Sequence, residues 1–521
     1  MKIKLMSFLL ISFLFISCST VNYTEQAKLT LQGSEKNKKE LKNAAKYFNK
    51  TDQTDKLDAL IFLYENMPNH SYVKVGLFDE NEVEVNWNFE TFKDYNEAKT
   101  AMDSLEAEFG ELHWKKKEKR IDHQTITSEY LVDNIDLAFK AWEDKPWSKK
   151  YDYSIFKEYI LPYRGSNEPI ESWRSWRGYF LDRYKDIASQ MFDKTDIIEA
   201  AEIINNDLKT WFKFNAKYYL HPTDQGLFEM LMSKEGRCED MTNLSIYALR
   251  ANGIGATSDY TPHWANSGNN HAWNVIVMPD GKPIPFMGAE ADPGKYKLSN
   301  KVAKVYRKVF SEQKDNLAFK LKDNEKAPAW LGGKCYMDVT GEYTNVVDVD
   351  ITLDRDIPDS TNYLYLCVFN SGDWKAIHWA ELKGRSAEFS DMGVDIAYLP
   401  MFYIEEELLP AGDPFILTKN GDKKLLGGDE QFNDKVILHS VTKKNIDRAE
   451  SGGSTVFFEV GAEYELSYWE NGWKPFGTKM ALGAPLTFED LPAKRLYWLV
   501  KENSDKEERI FTYDNLKQIW W

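Results

Sequence analysis

Three residues of the types that thiolate chemistry requires follow one another within a single stretch of the chain: Cys238, His271 and Asp292. In such chemistry a cysteine attacks a carbonyl carbon, a histidine accepts and returns the proton, and a carboxylate orients the imidazole. Cys238 follows Gly236-Arg237 and lies directly before a helical pattern. Because the positive end of a helix dipole favours a thiolate, the pattern predicts a lowered pKa for the Cys238 thiol.

The elements around these residues are expected to bring them together. The run from Met241 to Leu249 has helical spacing and ends at Asn252-Gly253, a typical stop signal. Residues 254–260 and 272–278 have strand patterning, and a turn over 279–282 returns the chain toward Asp292. A helix followed by a hairpin therefore predicts that the cysteine, the histidine and the carboxylate meet.

The N-terminus resembles a bacterial lipoprotein signal. Two lysines precede an apolar run, Leu5 to Ile16, that is too short to span a membrane and ends at Ser17-Cys18. We expect a signal peptide over residues 1–17, lipidation of Cys18, and a lipid-anchored protein of the cell envelope, in the outer membrane and facing the periplasm or the surface. The alternative is an ordinary secretory signal in which Cys18 is incidental.

The remaining cysteines single out one thiol. Without Cys18 the chain has Cys238, Cys335 and Cys367, an odd number, which suggests that one thiol stays free in an exported protein. Cys335 and Cys367 either pair with each other or are separately buried. Only Cys238 has a chemical motif around it.

Composition limits the classes of partner. Lys and Arg number 66 against 82 Asp and Glu, so the formal charge of −16 argues against a general affinity for nucleic acid or anionic lipid. No CxxC or HExxH pattern occurs, and we expect no metal and no cofactor. The acyl chain is the one membrane contact expected.

The organisation predicted for the chain is α+β and multidomain. After the signal peptide we expect a polar tether (18–53), a helical N-terminal domain (54–195), a catalytic core (196–330) and two β-sandwich modules (331–430 and 431–521). The two modules are inferred from a repeat, because a set of residues recurs 99 positions later. The set Tyr365, Trp374-Lys375, Phe389, Asp391 and Tyr398 recurs as Tyr464, Trp473-Lys474, Phe488, Asp490 and Tyr497.

Four further side chains are candidates for substrate binding. Trp264 and Trp273 flank His271 in sequence, and Arg164 lies in a cluster of aromatics, prolines and arginines that is suited to binding a carboxylate. Trp374 is suited to stacking on a glycan or contacting a peptide. The alternative interpretation places the tryptophans in cores and pairs the arginine with a nearby acid.

The motifs of the central stretch resemble the transglutaminase-like superfamily, and the whole architecture resembles exported Bacteroidetes lipoproteins that carry this domain. The resemblance rests on Gly236-Arg237-Cys238, Gly253-Ile254, His271-Ala272-Trp273-Asn274 and Asp292-Pro293. It implies a papain-like α+β core with Cys238 as nucleophile, His271 as general base and then acid, and Asp292 as the orienting group. Glu290 is a competing third member. The backbone N–H of Cys238 is one oxyanion donor, and Gln225 or Trp264 is the candidate for a second.

Two functions are compatible with these observations. The resemblance implies acyl transfer or amide hydrolysis on a peptide or glycopeptide through a thioester, and hydrolysis is preferred because water is abundant outside the cytoplasm. The alternative is a non-catalytic surface lipoprotein that recognises glycan or peptide through its aromatic-rich β modules.

Overall fold

The computed structural model describes residues 21–51, 53–171, 174–322, 325–359, 361–427, 431–443, 456–504 and 507–521. Cys18 and the predicted signal peptide lie outside the described residues. In the described part of the chain, no helix has both the length and the apolar character to cross a bilayer.

The front part of the chain combines helices with a small antiparallel sheet. The helices are α1 (Glu25–Gly33), α2 (Lys38–Lys50), α3 (Thr54–Asn66), α4 (Tyr95–Phe109), α5 (Asp122–Thr125), α6 (Ser128–Asp144), α7 (Tyr153–Ile155), continued by a π-helical turn over Phe156–Ile160, and α8 (Arg177–Arg183). The strands are β1 (Ser71–Phe78), β2 (Glu84–Val85) and β3 (His113–Ile121), in the order β2-β1-β3. The structure differs here from the helical domain predicted by periodicity.

Residues 25–50 are folded, although the sequence predicted a tether there. Helix α2 buries Leu41, Ala44, Ala45 and Phe48, which recur at helical spacing among lysines and asparagines. Its apolar stripe packs against α3 and α6. The polar composition therefore hides a narrow but regular apolar face.

The central part of the chain is a five-stranded sheet with a buried helix against it. The elements are α9 (Ile197–Trp211), β4 (Lys213–Phe214), α10 (Leu227–Ser233), β5 (Glu235–Gly236), α11 (Cys238–Ala251), β6 (Ala256–Thr261), β7 (His271–Val277), β8 (Pro283–Phe286), β9 (Tyr306–Lys308) and β10 (Tyr336–Asp338). The sheet has the order β10-β9-β6-β7-β8, and β4 pairs in parallel with β5. The predicted helix and hairpin are confirmed.

Side-chain contacts fix α11 to this sheet. Asn274 on β7 donates its Nδ2 to the carbonyl of Thr242 on α11 at 3.0 Å, and its Oδ1 accepts the N–H of Gly288 at 3.0 Å. A Cβ at Gly288 would lie 2.0 Å from the Oγ of Ser245, so this approach requires glycine. One asparagine thus ties the helix, the strand and the turn after β8 together.

The rear part of the chain contains two β modules with the same strand order. The first comprises β11 (Val346–Thr352), β12 (Tyr363–Asn370), β13 (Asp373–Glu381), β14 (Ser386–Gly393), β15 (Ile396–Ile404), β16 (Glu407–Pro410), β17 (Phe415–Leu417) and β18 (Lys423–Leu425). The second comprises β19 (Phe432–Leu438), β20 (Glu463–Trp469), β21 (Trp473–Met480), β22 (Leu486–Pro492), β23 (Tyr497–Lys501), β24 (Ile510–Asp514) and β25 (Lys517–Trp520). The order β13-β12-β15-β17-β18 corresponds to β21-β20-β23-β24-β25, and the pair β11-β14 corresponds to β19-β22.

Individual contacts repeat between the modules, with one exception. The hydroxyl of Tyr398 donates to the carbonyl of Gly393 at 2.8 Å, and that of Tyr497 to the carbonyl of Pro492 at 2.5 Å. However, Tyr365 on β12 is equivalent to Glu465 on β20. Tyr365 pairs with Met401 on β15, and Glu465 pairs with Val500, the residue of β23 that corresponds to Met401. The predicted match of Tyr365 with Tyr464 is therefore displaced by one residue, which in a strand moves a side chain to the other face.

Candidate active site

The reactive cysteine of the motif occupies the first position of α11. Strand β5 delivers the chain to this point, and a Cβ at Gly236 would lie 2.6 Å from the Cβ of Asp240. The carboxylate of Asp240 accepts the backbone N–H groups of Arg237 and Gln225, each at 2.9 Å. Burial raises the pKa of Asp240 to about 6. The helix start is thus closed by its own first-turn acid, which fixes the place of Cys238.

The thiol of Cys238 is protonated in this arrangement. It is 3% exposed, and its S–H donates to Oε2 of Glu239 at 3.0 Å. Burial, followed by the charge and the hydrogen bond of Glu239, raises the pKa of this thiol well above its ordinary value. The backbone N–H of Ala272 and the charge of Arg237 act in the opposite direction. The lowered pKa expected from the helix N-terminus is therefore not found, because burial and the neighbouring carboxylate outweigh the dipole.

Arg237 connects the thiol region to a buried carboxylate. Its Nη2 lies 3.0 Å from Oδ1 of Asp224, and its Nε lies 3.4 Å from Oε2 of Glu239. Glu239 therefore has two neighbours, a guanidinium and the thiol proton. Its side chain lies between them.

His271 is the first residue of β7 and lies close to the cysteine. The hydrogen bond from the N–H of Ala272 to the Cys238 sulfur places the beginning of β7 at the thiol. The His271 ring lies between two indoles, with its centroid 5.6 Å from that of Trp264 and 5.8 Å from that of Trp273. Burial lowers the pKa of His271. The imidazole is therefore neutral near pH 7 and able to accept a proton.

The polar partner of His271 is a tyrosine. Its Nε2 lies 2.6 Å from the hydroxyl of Tyr296. Burial, followed by the charges of Glu290 and Cys238, raises the pKa of Tyr296, so the hydroxyl stays protonated and its oxygen accepts the Nε2–H of the neutral imidazole. Glu290 itself is exposed. In the sequence, Tyr296 is marked only by being a tyrosine shortly after the turn at Gly294. The direction of its side chain depends on the conformation of that turn.

The structure does not bring Asp292 to His271. Its Oδ1 accepts hydrogen bonds from Nδ2 of Asn205 at 3.2 Å and from Nζ of Lys209, and Nζ of Lys295 lies 3.5 Å from Oδ2. Burial opposes ionisation of Asp292, but the hydrogen bonds from Lys209 and Asn205 keep its pKa below the usual value. Asp292 is thus an ionised carboxylate that is bound by two side chains of α9.

Of the two side chains considered for the oxyanion hole, one is already occupied. Gln225 donates its Nε2 to the carbonyl of Glu235 at 2.9 Å, and its Oε1 accepts the hydroxyl of Ser233 at 3.1 Å. Trp264 stacks on His271 and is 7% exposed. Only Trp264 therefore lies in contact with a residue of the candidate site.

The other three candidates for substrate binding are buried. Trp273 is fully buried, and its indole N–H donates to the hydroxyl of Tyr343 at 3.0 Å. Arg164 is 4% exposed and forms two hydrogen bonds of 2.6 Å with the carboxylate of Asp122. Trp374 is 3% exposed and packs on Trp469 of the second module. None of these three side chains is placed to receive a ligand.

The remaining described cysteines lie outside the motif of the candidate site. Cys335 and Cys367 are both free thiols. Burial raises the pKa of Cys335 to about 12, and Cys367 is completely buried. The Sγ of Cys335 lies 3.9 Å from Nε2 of His70, but that nitrogen donates to the carbonyl of Phe310 at 2.8 Å and therefore has no lone pair for a thiol proton.

Comparisons with known proteins agree with the motif. The family model described as Transglutaminase-like superfamily matches residues 185–286, a range that includes Cys238 and His271 and ends before Asp292 and Tyr296. The comparison with curated proteins returns no match.

Two solved structures are similar to parts of the chain. A "putative cysteine protease" from Cytophaga hutchinsonii aligns with 19% identity over 21% of this chain and 38% of its own, with a TM-score of 0.17. The chain thus spans well under half of that protein. The transglutaminase of red sea bream aligns with 9% identity over 85% of this chain and 76% of its own, with a TM-score of 0.20.

The class of the central domain rests on the family match and on the motif. Residues 185–286 form a transglutaminase-like domain. The chain as a whole is an α+β multidomain protein in which this domain lies between a mixed front part and two β modules. The class it defines is that of cysteine-dependent enzymes.

Proposed function

We propose that the protein hydrolyses an amide bond of a peptide or glycopeptide, with Cys238 as nucleophile and His271 as general base and acid. The observation that carries the proposal is the hydrogen bond between the backbone of β7 and the Cys238 sulfur, which sets a neutral histidine beside the thiol. A neutral imidazole accepts the thiol proton, whereas a protonated one does not.

The reaction proceeds in two balanced steps. The Cys238 proton passes to His271, the sulfur bonds to the carbonyl carbon, and the C–N bond breaks as His271 returns the proton to the departing amine. Water then attacks the thioester and gives its proton to His271. The C–S bond breaks, the thiol recovers its proton, and a carboxylic acid is released.

We infer that Tyr296 takes the position of the orienting group. Its hydroxyl contacts Nε2 of His271, whereas Asp292 is held by Asn205 and Lys209. A hydroxyl oxygen that accepts the Nε2–H of His271 fixes the ring and the tautomer, and it leaves Nδ1 unprotonated to accept the thiol proton. Unlike a carboxylate, it does not neutralise the imidazolium that forms.

Alkylation by iodoacetamide tests the nucleophile. The purified chain is labelled across pH 6 to 10 and each cysteine is quantified by peptide mass. The wild-type protein and Cys335→Ala should give the same label on the peptide that contains Cys238, and Cys238→Ala should lose it. A Cys238 that stays unlabelled in the folded protein up to pH 10 would contradict the proposal, as would failure to trap a thioester on Cys238 with peptide substrates.

A pair of variants tests the orienting group. Tyr296→Phe removes the hydroxyl and keeps the ring, so we expect the His271 tautomer to be lost and thioester formation to slow roughly tenfold or more. Asp292→Asn keeps its shape and its contact with Asn205, so its rate should stay within about threefold of wild type. If Asp292→Asn were the slower variant and Tyr296→Phe were unaffected, the group that orients His271 would be Asp292. Thermal melts of both variants serve as the control for folding.

A further inference from the structure

A cavity on the first β module is separate from the candidate thiol site. Its volume is about 340 Å³, and neither Cys238 nor His271 lines it. Its wall combines three tyrosines, Tyr363, Tyr365 and Tyr403, with acidic side chains. Aromatic rings beside carboxylates are the surroundings in which proteins bind organic cations, and the volume is within the range of small-ligand sites.

One hydroxyl in this wall is not used by any described protein group. Tyr365 is 3% exposed, yet among the described residues its hydroxyl has no hydrogen-bond partner. The neighbouring Tyr363 differs, because its hydroxyl donates to the carbonyl of Lys320 at 2.8 Å. A buried hydroxyl without a partner is unfavourable, so that of Tyr365 is suited to a hydrogen bond with a ligand in the cavity that it lines.

Most of the acids in the wall have no cationic partner. Lys326 is the one cation among the described residues of the wall, and it pairs with Glu406. Both of these side chains are more than half exposed, so this ion pair lies at the surface. Within the described part of the chain, Glu325, Asp359 and Glu405 form no ion pair. The wall therefore keeps the negative charge of three carboxylates that no protein cation pairs with.

The carboxylate of Glu325 is fixed near the hydroxyl of Tyr365. Its Oε1 accepts Nδ2 of Asn362 at 2.5 Å, and its Oε2 accepts the backbone N–H of Lys322 at 2.8 Å. Each of the two oxygens keeps a further lone pair for a ligand. Burial, followed by the charge of Glu325, raises the pKa of Tyr365, so this carboxylate acts directly on the hydroxyl that has no partner.

The second module has a cavity at the equivalent position, but without the aromatic rings. Its volume is about 390 Å³, and Glu463, Glu465 and Glu502 line it. By the strand register, these glutamates take the places of the three tyrosines of the first module. The strand framework thus forms this cavity without aromatic residues, so the need to fold does not by itself explain the tyrosines.

We propose that the cavity of the first module binds a primary alkylammonium group, the cation carried by a lysine side chain or by a free diamine. The ammonium donates to the Tyr365 hydroxyl and the Glu325 carboxylate, and the alkyl stem lies against the ring of Tyr403, whose centre is 6.1 Å from that of Tyr365. The three donors of an ammonium reach two separate acceptors, whereas a planar guanidinium matches a single carboxylate. The site does not depend on the thiol chemistry.

Calorimetric titration at constant ionic strength tests the proposal, with Nα-acetyl-lysine methylamide and cadaverine as probes. We expect at least one of them to bind at about millimolar concentration or better, and the pair distinguishes a peptide side chain from a free diamine. The Nε-acetylated lysine probe lacks the charge and should bind roughly tenfold more weakly or worse. Equal binding of that neutral probe would overturn the assignment of a cation. Binding of calcium ion without either amine, or no binding at all, would overturn the whole proposal.

Matched variants locate the binding. Glu325→Gln keeps the shape of the side chain and removes its charge, so it should weaken amine binding roughly tenfold or more. Tyr365→Phe should weaken it about threefold to tenfold without lowering the melting temperature, because the hydroxyl has no protein partner to lose. Glu502→Gln removes a carboxylate from the cavity of the second module and should leave binding unchanged.

Thermal melts of each variant report on the fold independently of the ligand. Amine binding that survives both Glu325→Gln and Tyr365→Phe in folded proteins would contradict the proposal. An equal loss of binding in Glu502→Gln would contradict it as well, since the site would then not be in the first module.

Discussion

The carboxylate of Glu239, one residue after the nucleophile, decides the protonation state of the thiol. A helix N-terminus stabilises an anion by about 0.3–1 kcal/mol, whereas full burial shifts a pKa by up to about 3–5 units. The buried Cys238 also faces the negative charge of Glu239 at hydrogen-bond distance. Burial and Glu239 therefore raise the pKa of the Cys238 thiol by more than the helix dipole lowers it, and the thiol is protonated.

Glu239→Gln should make the thiol more reactive. The charge and the hydrogen bond of Glu239 both raise the pKa of Cys238. Removing them lowers that pKa, so at any pH below it the thiolate fraction rises. We expect the pH profile of iodoacetamide labelling to move to lower pH and the rate at pH 7.5 to increase roughly tenfold or more.

Glu407→Gln is the matched control for this measurement. Glu407 is an exposed carboxylate on β16, in the first β module, and its loss should leave the profile unchanged. A Glu239→Gln profile that coincides with the wild-type one would show that Glu239 does not hold the thiol proton.

Residue types and order were enough to predict two members of the site but not the third. Cys238 and His271 are marked by short motifs whose neighbours, a helix start and a strand start, are readable from the sequence. The partner of His271 depends on how the chain leaves the turn after β8. There, Asn205 and Lys209 of α9 hold Asp292, and Tyr296 reaches the ring. Contacts from a separate helix are not visible in local spacing.

At the scale of elements, the core was predictable because its patterns are strong. Helix α11 ends at Ala251, directly before the predicted stop at Asn252-Gly253, and Gly253 has a φ of +72°. The front sheet was missed because β3 has no apolar alternation. Its residues 115–120 are mostly lysines, and Lys115 and Lys117 pair with Glu82 and Glu84 of the neighbouring segment. Charge pairs across strands leave no hydrophobic period to detect.

The repeat shows a second limit of sequence patterns. Asp391 on β14 and Asp490 on β22 both adopt a left-handed φ, 51° and 55°, so the repeat identifies real equivalents at that strand position. On β12 the equivalent of Tyr365 is Glu465, a shift of one residue. Tyr464 faces the core of its module, where an aromatic residue fits as well. A chance identity one residue away cannot be separated from true equivalence without the register.

At the scale of the whole molecule, the β modules hold a loop of the catalytic core. Asn370 of the first module donates its Nδ2 to the carbonyls of Trp264, Ser267 and Asn269 at 2.9 to 3.0 Å. Arg509 of the second module donates to the carbonyl of Ala265 at 2.9 Å. Both modules thereby fix the loop that carries Trp264 onto the ring of His271.

Trp374 connects the modules themselves. Its ring packs on Trp469 of the second module and on Phe369 of its own, and Phe369 also packs on Trp473 and Trp498. Phe369 in turn offers its carbonyl to Arg509 at 2.8 Å. The repeated tryptophans thus serve the junction that supports the loop, and Trp374 is buried there and not exposed as a glycan-binding surface.

Arg509→Met should alter His271 from a distance. The variant leaves the carbonyls of Ala265 and Phe369 without their donor, at a cost of about 1–3 kcal/mol, and loosens the loop that covers the imidazole. Because burial lowers the pKa of His271, added solvent contact should raise that pKa, so the ring becomes neutral only at higher pH. Histidine-selective ¹³C NMR titration measures the shift, with the signal assigned from His271→Asn.

Arg385→Met is the control, since Arg385 also donates to backbone carbonyls, those of Leu353 and Arg355, but away from the loop. Both variants should melt at a lower temperature, and only Arg509→Met should move the His271 titration. An unchanged titration in a folded Arg509→Met protein would show that the modules do not tune the site.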